Sequence, residues 1–279
     1  MRHSNMGKEV IAVDLGGSNL RVALIRNNKI INLIKKKTQK TKEGILGDMS
    51  DSISELINRN VKGVGIASPG PLKNGIIINP PNIPFKNFNM KRYFQNKFKI
   101  RAEVDNDANC VALAESKFGA GRGKKNFFIL TLGTGIGGGV VIMGEVYKSK
   151  DIGTELGNIY LTRDKTFEQL VGGKAISKIT KEYLGEELNL SELMEINNAK
   201  SRKLLDEITE YYAQGIGSLI NIFDPEIVVL AGGMREAGDR FLNIIRKKVK
   251  KYVTLPGHYN IVWSKLEEPG ILGAGLLID

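Results

Sequence analysis

The chain has 279 residues, of which 42% are hydrophobic, and this is enough for two compact domains that each bury a core. Its single cysteine, Cys110, excludes an intrachain disulfide and indicates a reducing compartment. The net charge of +11 raises the question of nucleic-acid binding, but the lysines are scattered. The densest basic run, Arg246 to Lys251, lies on a predicted amphipathic helix, so we predict no nucleic-acid partner.

The N-terminal residues and one uncharged stretch bear on location. Met1 to Glu9 lacks the apolar core of a signal peptide. Phe127 to Gly144 has no charged residue over 18 positions, but its six glycines would weaken a helix exposed to lipid. We therefore predict two buried strands there, a cytoplasmic location and no membrane partner.

In chain order, the first predicted elements form a mixed α/β unit. Three short strands joined by glycine-rich or Asn-Asn turns predict an antiparallel meander, and an amphipathic helix and an apolar strand follow it. These elements are the strands Val10 to Val13, Leu20 to Ile25 and Lys29 to Ile34, the helix from Ile45 to Ile57, and the strand Val61 to Ala67.

A second unit repeats this plan after a predicted helix, Asn109 to Lys117. Three glycines between Phe118 and Lys125 predict a flexible joint, so we place the domains at 1–118 and 119–267, with a helix at 268–279 packing back on the first. The predicted elements of the second unit are the strand Phe127 to Leu132, the turn Gly133 to Gly139, the strand Val140 to Met143, a long helix from Leu204 to Phe223 and the strand Ile227 to Leu230.

The first motif that could carry chemistry is the segment Asp14 to Arg21, set between two strands. Gly16 and Gly17 let the backbone approach an anion closely, and Ser18 offers a hydroxyl. Asp14 can hold a metal-bound water beside phosphates. An ordinary hairpin turn is the alternative interpretation.

The second motif, Thr131 to Gly139, matches the glycine pattern of a dinucleotide-binding loop, with Glu155 at about the expected distance. That interpretation requires a helix after the loop, whereas Val140 to Met143 predicts a strand. The protein-kinase version of the pattern lacks its partner motifs, and no Walker A sequence is present. A second phosphate-binding turn remains, with Thr134 as its hydroxyl.

The third motif, Asp105 to Asn109, joins a short strand to a helix. Asp and Asn are common helix caps, but two carboxylates and two amides exceed what a cap needs. Asn106 could hold one sugar hydroxyl while Asp107 accepts a proton from another. Cys110, on the apolar side of this helix, is predicted to pack in the core.

The fourth motif comprises Glu155, Asn158 and Glu168. A carboxylate can accept charge-assisted hydrogen bonds from two neighbouring sugar hydroxyls, although isolated acidic residues usually lie on the surface. The two histidines lie near the termini, and no cluster of His and Cys predicts a metal site.

These four motifs, in this order and spacing, resemble those of the ROK family (repressors, open reading frames and kinases) over nearly the whole chain. Supporting segments are Gly65 to Pro71, Pro81 to Pro84 and Asn221 to Gly233. The resemblance implies an α/β, actin/hexokinase-like (ribonuclease H-like) fold of two domains with a cleft between them. It also implies an ATP-dependent sugar kinase that uses Mg²⁺ and forms a homodimer.

The resemblance also implies residue roles, with Asp107 as the catalytic base. The residues implied to bind sugar are Gly70, Asn82, Asn106, Asp107, Glu155, Asn158 and Glu168. Those implied to surround ATP and Mg²⁺ are Asp14, Gly16, Gly17, Ser18, Asn19, Arg21, Gly133, Thr134, Gly135, Gly232 and Gly233.

The chain departs from the family pattern at one point. The family usually has a histidine followed by a cysteine-rich loop that together hold a structural zinc. Here Asn158 replaces the histidine and Ile159 to Phe167 contains no cysteine, so we predict no zinc and no protein-held metal. Variants of this kind resemble bacterial N-acetylmannosamine kinases, which puts phosphorylation of that sugar at its 6-hydroxyl slightly ahead of glucose. Pocket shape, rather than any motif, distinguishes these sugars from fructose or N-acetylglucosamine.

A sugar-sensing regulator without catalysis is the alternative from another class, because the family includes transcriptional repressors. Those carry a helix-turn-helix ahead of the kinase-like part. Because the first strand predicted here begins at Val10, we expect no such module ahead of it.

Overall fold

The computed structural model describes residues 8–149 and 153–278. The predicted absence of a signal peptide concerns mainly residues 1–7, which lie outside this described part. Among the described residues, no helix is both long enough and apolar enough to span a bilayer.

The described residues form thirteen strands and nine α-helices. The strands are β1 (Glu9–Leu15), β2 (Asn19–Arg26), β3 (Lys29–Lys37), β4 (Val61–Ser68), β5 (Leu72–Lys73), β6 (Ile76–Ile77), β7 (Phe88–Asn89), β8 (Arg101–Asn106), β9 (Phe127–Leu132), β10 (Ile136–Ile142), β11 (Glu145–Val146), β12 (Ile227–Ala231) and β13 (Ile261–Trp263). The helices are α1 (Lys42–Leu56), α2 (Met90–Phe98), α3 (Asp107–Phe118), α4 (Phe167–Val171), α5 (Gly173–Leu184), α6 (Leu190–Glu195), α7 (Ala199–Phe223), α8 (Gly238–Lys248) and α9 (Pro269–Leu276).

The chain divides into two compact units. The described residues of the first unit fall within Met1–Lys117, Lys148–Gly153 and Leu266–Asp279. The second unit comprises Phe118–Tyr147 and Thr154–Lys265. Each unit has a core of its own: residues such as Ile11, Ile66 and Phe94 are fully buried in the first, and residues such as Phe128 and Tyr212 in the second.

The first unit is built on a five-stranded sheet of order β3-β2-β1-β4-β8. The predicted meander is confirmed, because β1 pairs with β2, and β2 with β3, in antiparallel fashion. Strands β4 and β8 extend the sheet in parallel, and β5, β6 and β7 form a small separate sheet. Cys110 is buried as predicted, and burial raises the pKa of its thiol well above the usual value.

Helix α9 packs against this sheet at backbone distance. A Cβ atom on Gly65 in β4 would overlap the carbonyl oxygen of Ala274, and one on Gly273 would overlap the carbonyl oxygen of Cys110 in α3. Neither position accepts a side chain. This close approach explains why α9 contains three glycines although glycine is a poor helix former.

The second unit repeats the sheet plan, with strand order β11-β10-β9-β12-β13. Again β9, β10 and β11 are antiparallel neighbours, and β12 and β13 are parallel additions, so the predicted repetition is confirmed. The boundary predicted for β10 was wrong. The strand begins at Ile136 rather than Val140, because the backbones of Gly137, Gly138 and Gly139 continue the ladder with β9.

A charged cluster joins α7 to the chain after α8 and yields a stability prediction. Hydrogen bonds from Lys251 and Tyr252 lower the pKa of Glu210 from 4.5 to about 2. A lowered folded-state pKa means that the contribution to stability is present above pH 4.5 and is lost as the pH falls towards 2. We expect Glu210→Gln to reduce the free energy of unfolding by about 0.5–1 kcal/mol at pH 7, since the cluster is partly solvent-screened.

Urea denaturation of both proteins between pH 7 and pH 3 tests this expectation. The difference should shrink below pH 4.5, and Glu207→Gln, at an exposed position on the same helix, should show no such pH-dependent difference. A Glu210→Gln difference that does not change with pH would contradict the assignment.

Candidate active site

The turn between β1 and β2, Gly16–Asn19, is the first predicted phosphate site. It is closed by a hydrogen bond from Gly16 N to Asn19 O of 2.9 Å, and Gly17 and Ser18 are exposed at its tip. Thr38, directly after β3, fixes the turn from the side: its hydroxyl donates to Gly16 O (2.7 Å) and its amide to Ser18 O (3.1 Å). We call Gly16–Asn19 the first glycine turn.

Asp14 is the penultimate residue of β1, two positions before this turn, and its side chain is 17% exposed. Arg21 on β2 donates to its Oδ2 at 3.0 Å and also lies 3.2 Å from Glu268, which Lys35 contacts in turn. Burial raises the pKa of the Asp14 carboxyl, Arg21 opposes that shift, and Glu268 adds to it. A further cation beside Asp14 would favour its ionised form.

Parallel pairing brings the third motif to the same sheet edge as Asp14. Asp14 on β1 pairs with Ala67 on β4, which pairs with Asp105 on β8. Two strand spacings separate Asp14 from Asp105, which is roughly 10 Å between backbones. The carboxyl ends of parallel strands are the usual ligand edge of an α/β sheet.

Asn106 provides the helix cap that the sequence left open between several residues. Its Oδ1 accepts from Ala108 N (2.8 Å) and Asn109 N (3.3 Å) at the start of α3. Asp105 accepts from Asn106 N at 2.7 Å and from the Asn109 side chain at 3.0 Å. Asp107, half-buried at the first position of α3, is held by Ala108 N at 2.8 Å from its Oδ1.

The other two sugar-binding candidates of the first unit lie in loops. Asn82 lies in a turn beside the first glycine turn, because a Cβ atom on Gly17 would lie 3.0 Å from the Cβ of Asn82. Gly70 follows β4 and precedes a cis peptide bond to Pro71. The structure thus brings Asn82 next to the predicted phosphate residues.

The turn between β9 and β10 is the second predicted phosphate site, and we call Gly133–Ile136 the second glycine turn. Gly133 N donates to Gly135 O at 3.0 Å. Gly232, which follows the parallel strand β12, has a left-handed φ of +97°, and a Cβ atom there would overlap Leu132 O. The structure therefore places Gly232 against the backbone of Leu132, the residue immediately before the second glycine turn, and Gly233 follows it in the chain.

The two glutamates of the fourth motif are electrostatic neighbours. Burial, and then the charge of Glu168, raise the pKa of the Glu155 carboxyl above its usual value. The Asn158 side chain donates to Glu155 Oε2 at 3.4 Å. Glu168 lies on α4, and its Oε2 accepts from Ile136 N at 2.7 Å.

The residues between Asn158 and α4 do not fit a zinc site. Among the described residues, no group of three or more His, Cys, Asp or Glu side chains could hold a metal ion. The segment between Asn158 and α4 forms a turn of its own. It is closed by an antiparallel bridge between Tyr160 and Thr166 and by a hydrogen bond from Phe167 N to Ile159 O (2.8 Å). Gln214 on α7 donates to Leu161 O at 3.2 Å.

Mg²⁺ needs fewer protein ligands than a structural zinc ion, and one residue of the chain is suited to bind it. Mg²⁺ in phosphoryl-transfer sites keeps several waters and takes one or two carboxylates together with substrate phosphates. Asp14 offers a carboxylate oxygen ligand two residues before the first glycine turn, and it is paired with Arg21 at 3.0 Å. Asp14 is thus the carboxylate next to the first glycine turn that would hold Mg²⁺, directly or through water.

Three sets of contacts at the candidate site were not identified from the sequence. They are the ion pairing of Glu268 with Arg21, the hydrogen bond from Ile136 to Glu168, and the contacts of Gly173 and Lys174 with the second glycine turn. Only the last had a signal: the adjacent glycines Gly172 and Gly173 before a helix indicate close backbone packing.

Solved structures share this architecture over almost the whole chain. The hexokinase of the ROK family from Thermus thermophilus matches with a TM-score of 0.83 and 27% identity, covering 96% of this chain and 97% of its own. A proposed N-acetylmannosamine kinase from Listeria monocytogenes matches with a TM-score of 0.87 and 25% identity, covering 97% and 98%. The fold is therefore the predicted α/β fold of the actin/hexokinase-like class.

Comparison of sequences gives the family. The model of the ROK family matches residues 10–279. The glucokinase of Thermotoga maritima is 31% identical, with 97% of each chain covered. The chain belongs to the ROK family, as its motifs predicted.

Proposed function

We propose that this protein transfers the γ-phosphoryl group of ATP to the 6-hydroxyl of a hexose or an N-acetylhexosamine. Its broader class is confirmed: it is a carbohydrate kinase, as its family and its kinase relatives indicate. The observation that best supports the finer proposal is the shared edge of the first sheet. There β1 leads into the first glycine turn and β8 leads into Asp107.

Asp107 is the proposed base. Its carboxylate accepts the proton of the sugar hydroxyl while that oxygen forms a bond to the γ-phosphorus. The bond from the γ-phosphorus to the oxygen bridging to the β-phosphate breaks, and ADP leaves with the electron pair. Such a base contributes about 10²- to 10⁴-fold to the rate. Because Asn106 caps α3 through its side-chain carbonyl oxygen, the N–H groups of the same side-chain amide are the proposed donors to a sugar hydroxyl.

The proposed nucleotide residues lie on the two glycine turns and around them. Exposed backbone in such turns can approach phosphate oxygens closely, and the hydroxyls of Ser18 and Thr134 are placed at the two turns. Bound Mg²⁺, held through Asp14, would neutralise charge that develops on the phosphates. The remaining proposed residues are Gly16, Gly17, Asn19, Arg21, Gly133, Gly135, Gly232 and Gly233.

The proposed sugar residues are Gly70, Asn82 and Asn106 in the first unit and Glu155, Asn158 and Glu168 in the second. N-acetylmannosamine stays the predicted substrate because Asn158 replaces the zinc-binding histidine. Glucose is the second candidate, and it is supported by the 31% identity to the Thermotoga maritima glucokinase. Homodimerisation and a cytoplasmic location stay predictions.

An ADP-release assay with Mg²⁺, ATP and four sugars tests the proposal. The sugars are N-acetylmannosamine, glucose, fructose and N-acetylglucosamine, each compared with water as acceptor. We expect sugar-dependent turnover with a 6-phosphate product, and the highest kcat/KM for N-acetylmannosamine. Preference for glucose would replace that substrate by the second candidate. Absence of turnover with every sugar would favour the sugar-sensing regulator.

A further inference from the structure

The second glycine turn is docked onto the junction of α4 and α5. Gly173 N donates to Gly133 O and Lys174 N donates to Thr134 O, each at 3.0 Å. These amides belong to the first turn of α5, where backbone N–H groups have no partner within the helix. The third bond is the one from Ile136 N to Glu168 Oε2, at 2.7 Å. It is charge-assisted and therefore the strongest of the three.

Glycines allow the turn and the α4–α5 junction to approach each other at backbone distance. A Cβ atom on Gly135 would overlap the Glu168 carboxylate, and one on Gly173 would overlap Gly133 O. A Cβ atom on Gly172 would lie 3.3 Å from the Cα of Gly135. The carboxylate of Glu168 thus lies directly against the backbone of the turn.

Helix α7 holds Glu168 in this position from the other side. Phe167, the residue before Glu168, is fully buried. Its ring packs edge-on against the ring of Tyr212 on α7, with 5.7 Å between the ring centroids. The Tyr212 hydroxyl donates to Val171 O at 2.6 Å, at the end of the same short helix. Both ends of α4 are therefore anchored, and Glu168 has little freedom to leave Ile136.

From this arrangement we propose that Glu168 has a second role beside sugar binding: its carboxylate fixes the second glycine turn in the form that binds phosphate. The inference rests on the proposed function, in which Glu168 contacts sugar and Thr134 contacts the nucleotide. One carboxylate then serves both substrates. Any influence of bound sugar on nucleotide affinity through Glu168 must be matched by an equal influence of nucleotide on sugar affinity.

Two substitutions at this position separate the hydrogen bond from the charge. Glu168→Gln keeps a carbonyl oxygen that can accept from Ile136 N, whereas Glu168→Met keeps the side-chain length and replaces the oxygen acceptors by a thioether sulfur, which is only a weak acceptor. Glu155→Met is the matched control, because Glu155 belongs to the same sugar motif but has no hydrogen bond to the turn among the bonds of the described residues. The measurement is the Kd for a non-hydrolysable ATP analogue with Mg²⁺, by calorimetry, without any sugar.

We expect Glu168→Met to weaken nucleotide binding about tenfold, which is typical of losing a hydrogen bond to a charged group. Glu168→Gln, which keeps an acceptor but loses the charge, should weaken binding by less than Glu168→Met, and Glu155→Met should bind the nucleotide within about twofold of wild type. Nucleotide binding equal to wild type in Glu168→Met would overturn the second role. So would an equal loss in Glu168→Gln and Glu168→Met, since charge rather than the hydrogen bond would then matter.

The outcome is distinguishable from failure of the proposed function. A wild-type protein that phosphorylates a sugar but whose Glu168→Met variant binds nucleotide normally contradicts only the second role. A wild-type protein that binds no nucleotide and phosphorylates no sugar contradicts both. If Glu168→Met does not fold, Glu168→Ala takes its place, because it also removes the acceptor for Ile136 N; nucleotide binding equal to wild type in Glu168→Ala would overturn the second role.

Discussion

Replacing Asp107 by Asn is expected to lower kcat by at least about 100-fold while leaving nucleotide affinity nearly unchanged. The substitution removes the proton acceptor but keeps the shape of the side chain. The amide oxygen can still accept from Ala108 N, the 2.8 Å bond that holds Asp107 at the start of α3. Steady-state kinetics with the preferred sugar, together with calorimetric titration of the ATP analogue, measure the two effects separately.

Asp105→Asn is the matched control for this prediction. It makes the same change of charge in the same loop, and an amide oxygen can replace the carboxylate oxygen that accepts from Asn106 N and from the Asn109 side chain. We expect a loss of kcat of less than about tenfold, because Asp105 positions the loop and is not the base. Similar kcat values for Asp107→Asn and wild type would remove Asp107 from the mechanism.

The largest expected effect on stability follows from the packing of α9. Gly65→Ala places a methyl group where the Ala274 carbonyl oxygen lies, and backbone atoms on both sides must move. Overpacking of this kind costs typically 1–3 kcal/mol, and we expect about 3 kcal/mol because neither partner is a flexible side chain. Urea denaturation followed by circular dichroism measures the change.

Gly47→Ala is the contrasting substitution. Gly47 lies in α1, is exposed, and has no atom within 4 Å of the position of an added Cβ. Alanine is favoured over glycine in a helix, so this variant should gain about 0.5–1 kcal/mol. If Gly65→Ala instead proves as stable as wild type, α9 does not pack on β4 as described.

The helix cap shows how the structure narrows an interpretation that the motif alone left open. From the residues alone, Asp105, Asn106, Asp107 and Asn109 were each possible caps of α3. The hydrogen bonds assign the cap to Asn106 and the bracing of the loop to Asp105. Asp107 also accepts from Ala108 N, but Asn106 accepts from that amide as well, so the cap does not depend on Asp107 alone.

The start of β10 shows the opposite case, in which the sequence misled. Glycines are depleted in strands, so Gly137 to Gly139 were predicted as part of a turn. In the fold their backbones pair with β9, and the lack of a side chain on Gly138 makes room for Leu156. The contact that requires glycine comes from a residue far along the chain, and local propensity carries no information about it.

The sequence by itself determined the two strand meanders, the amphipathic helices, the buried cysteine and the order of the four motifs. These features follow from hydrophobic periodicity and turn-forming residues, which act over a few neighbouring positions. Only the tertiary structure decided that Glu168 accepts from Ile136 and that Glu268 pairs with Arg21. It also decided that α9 lies directly on the backbone of β4. These contacts join residues distant in sequence, and their identity depends on how the packed elements meet.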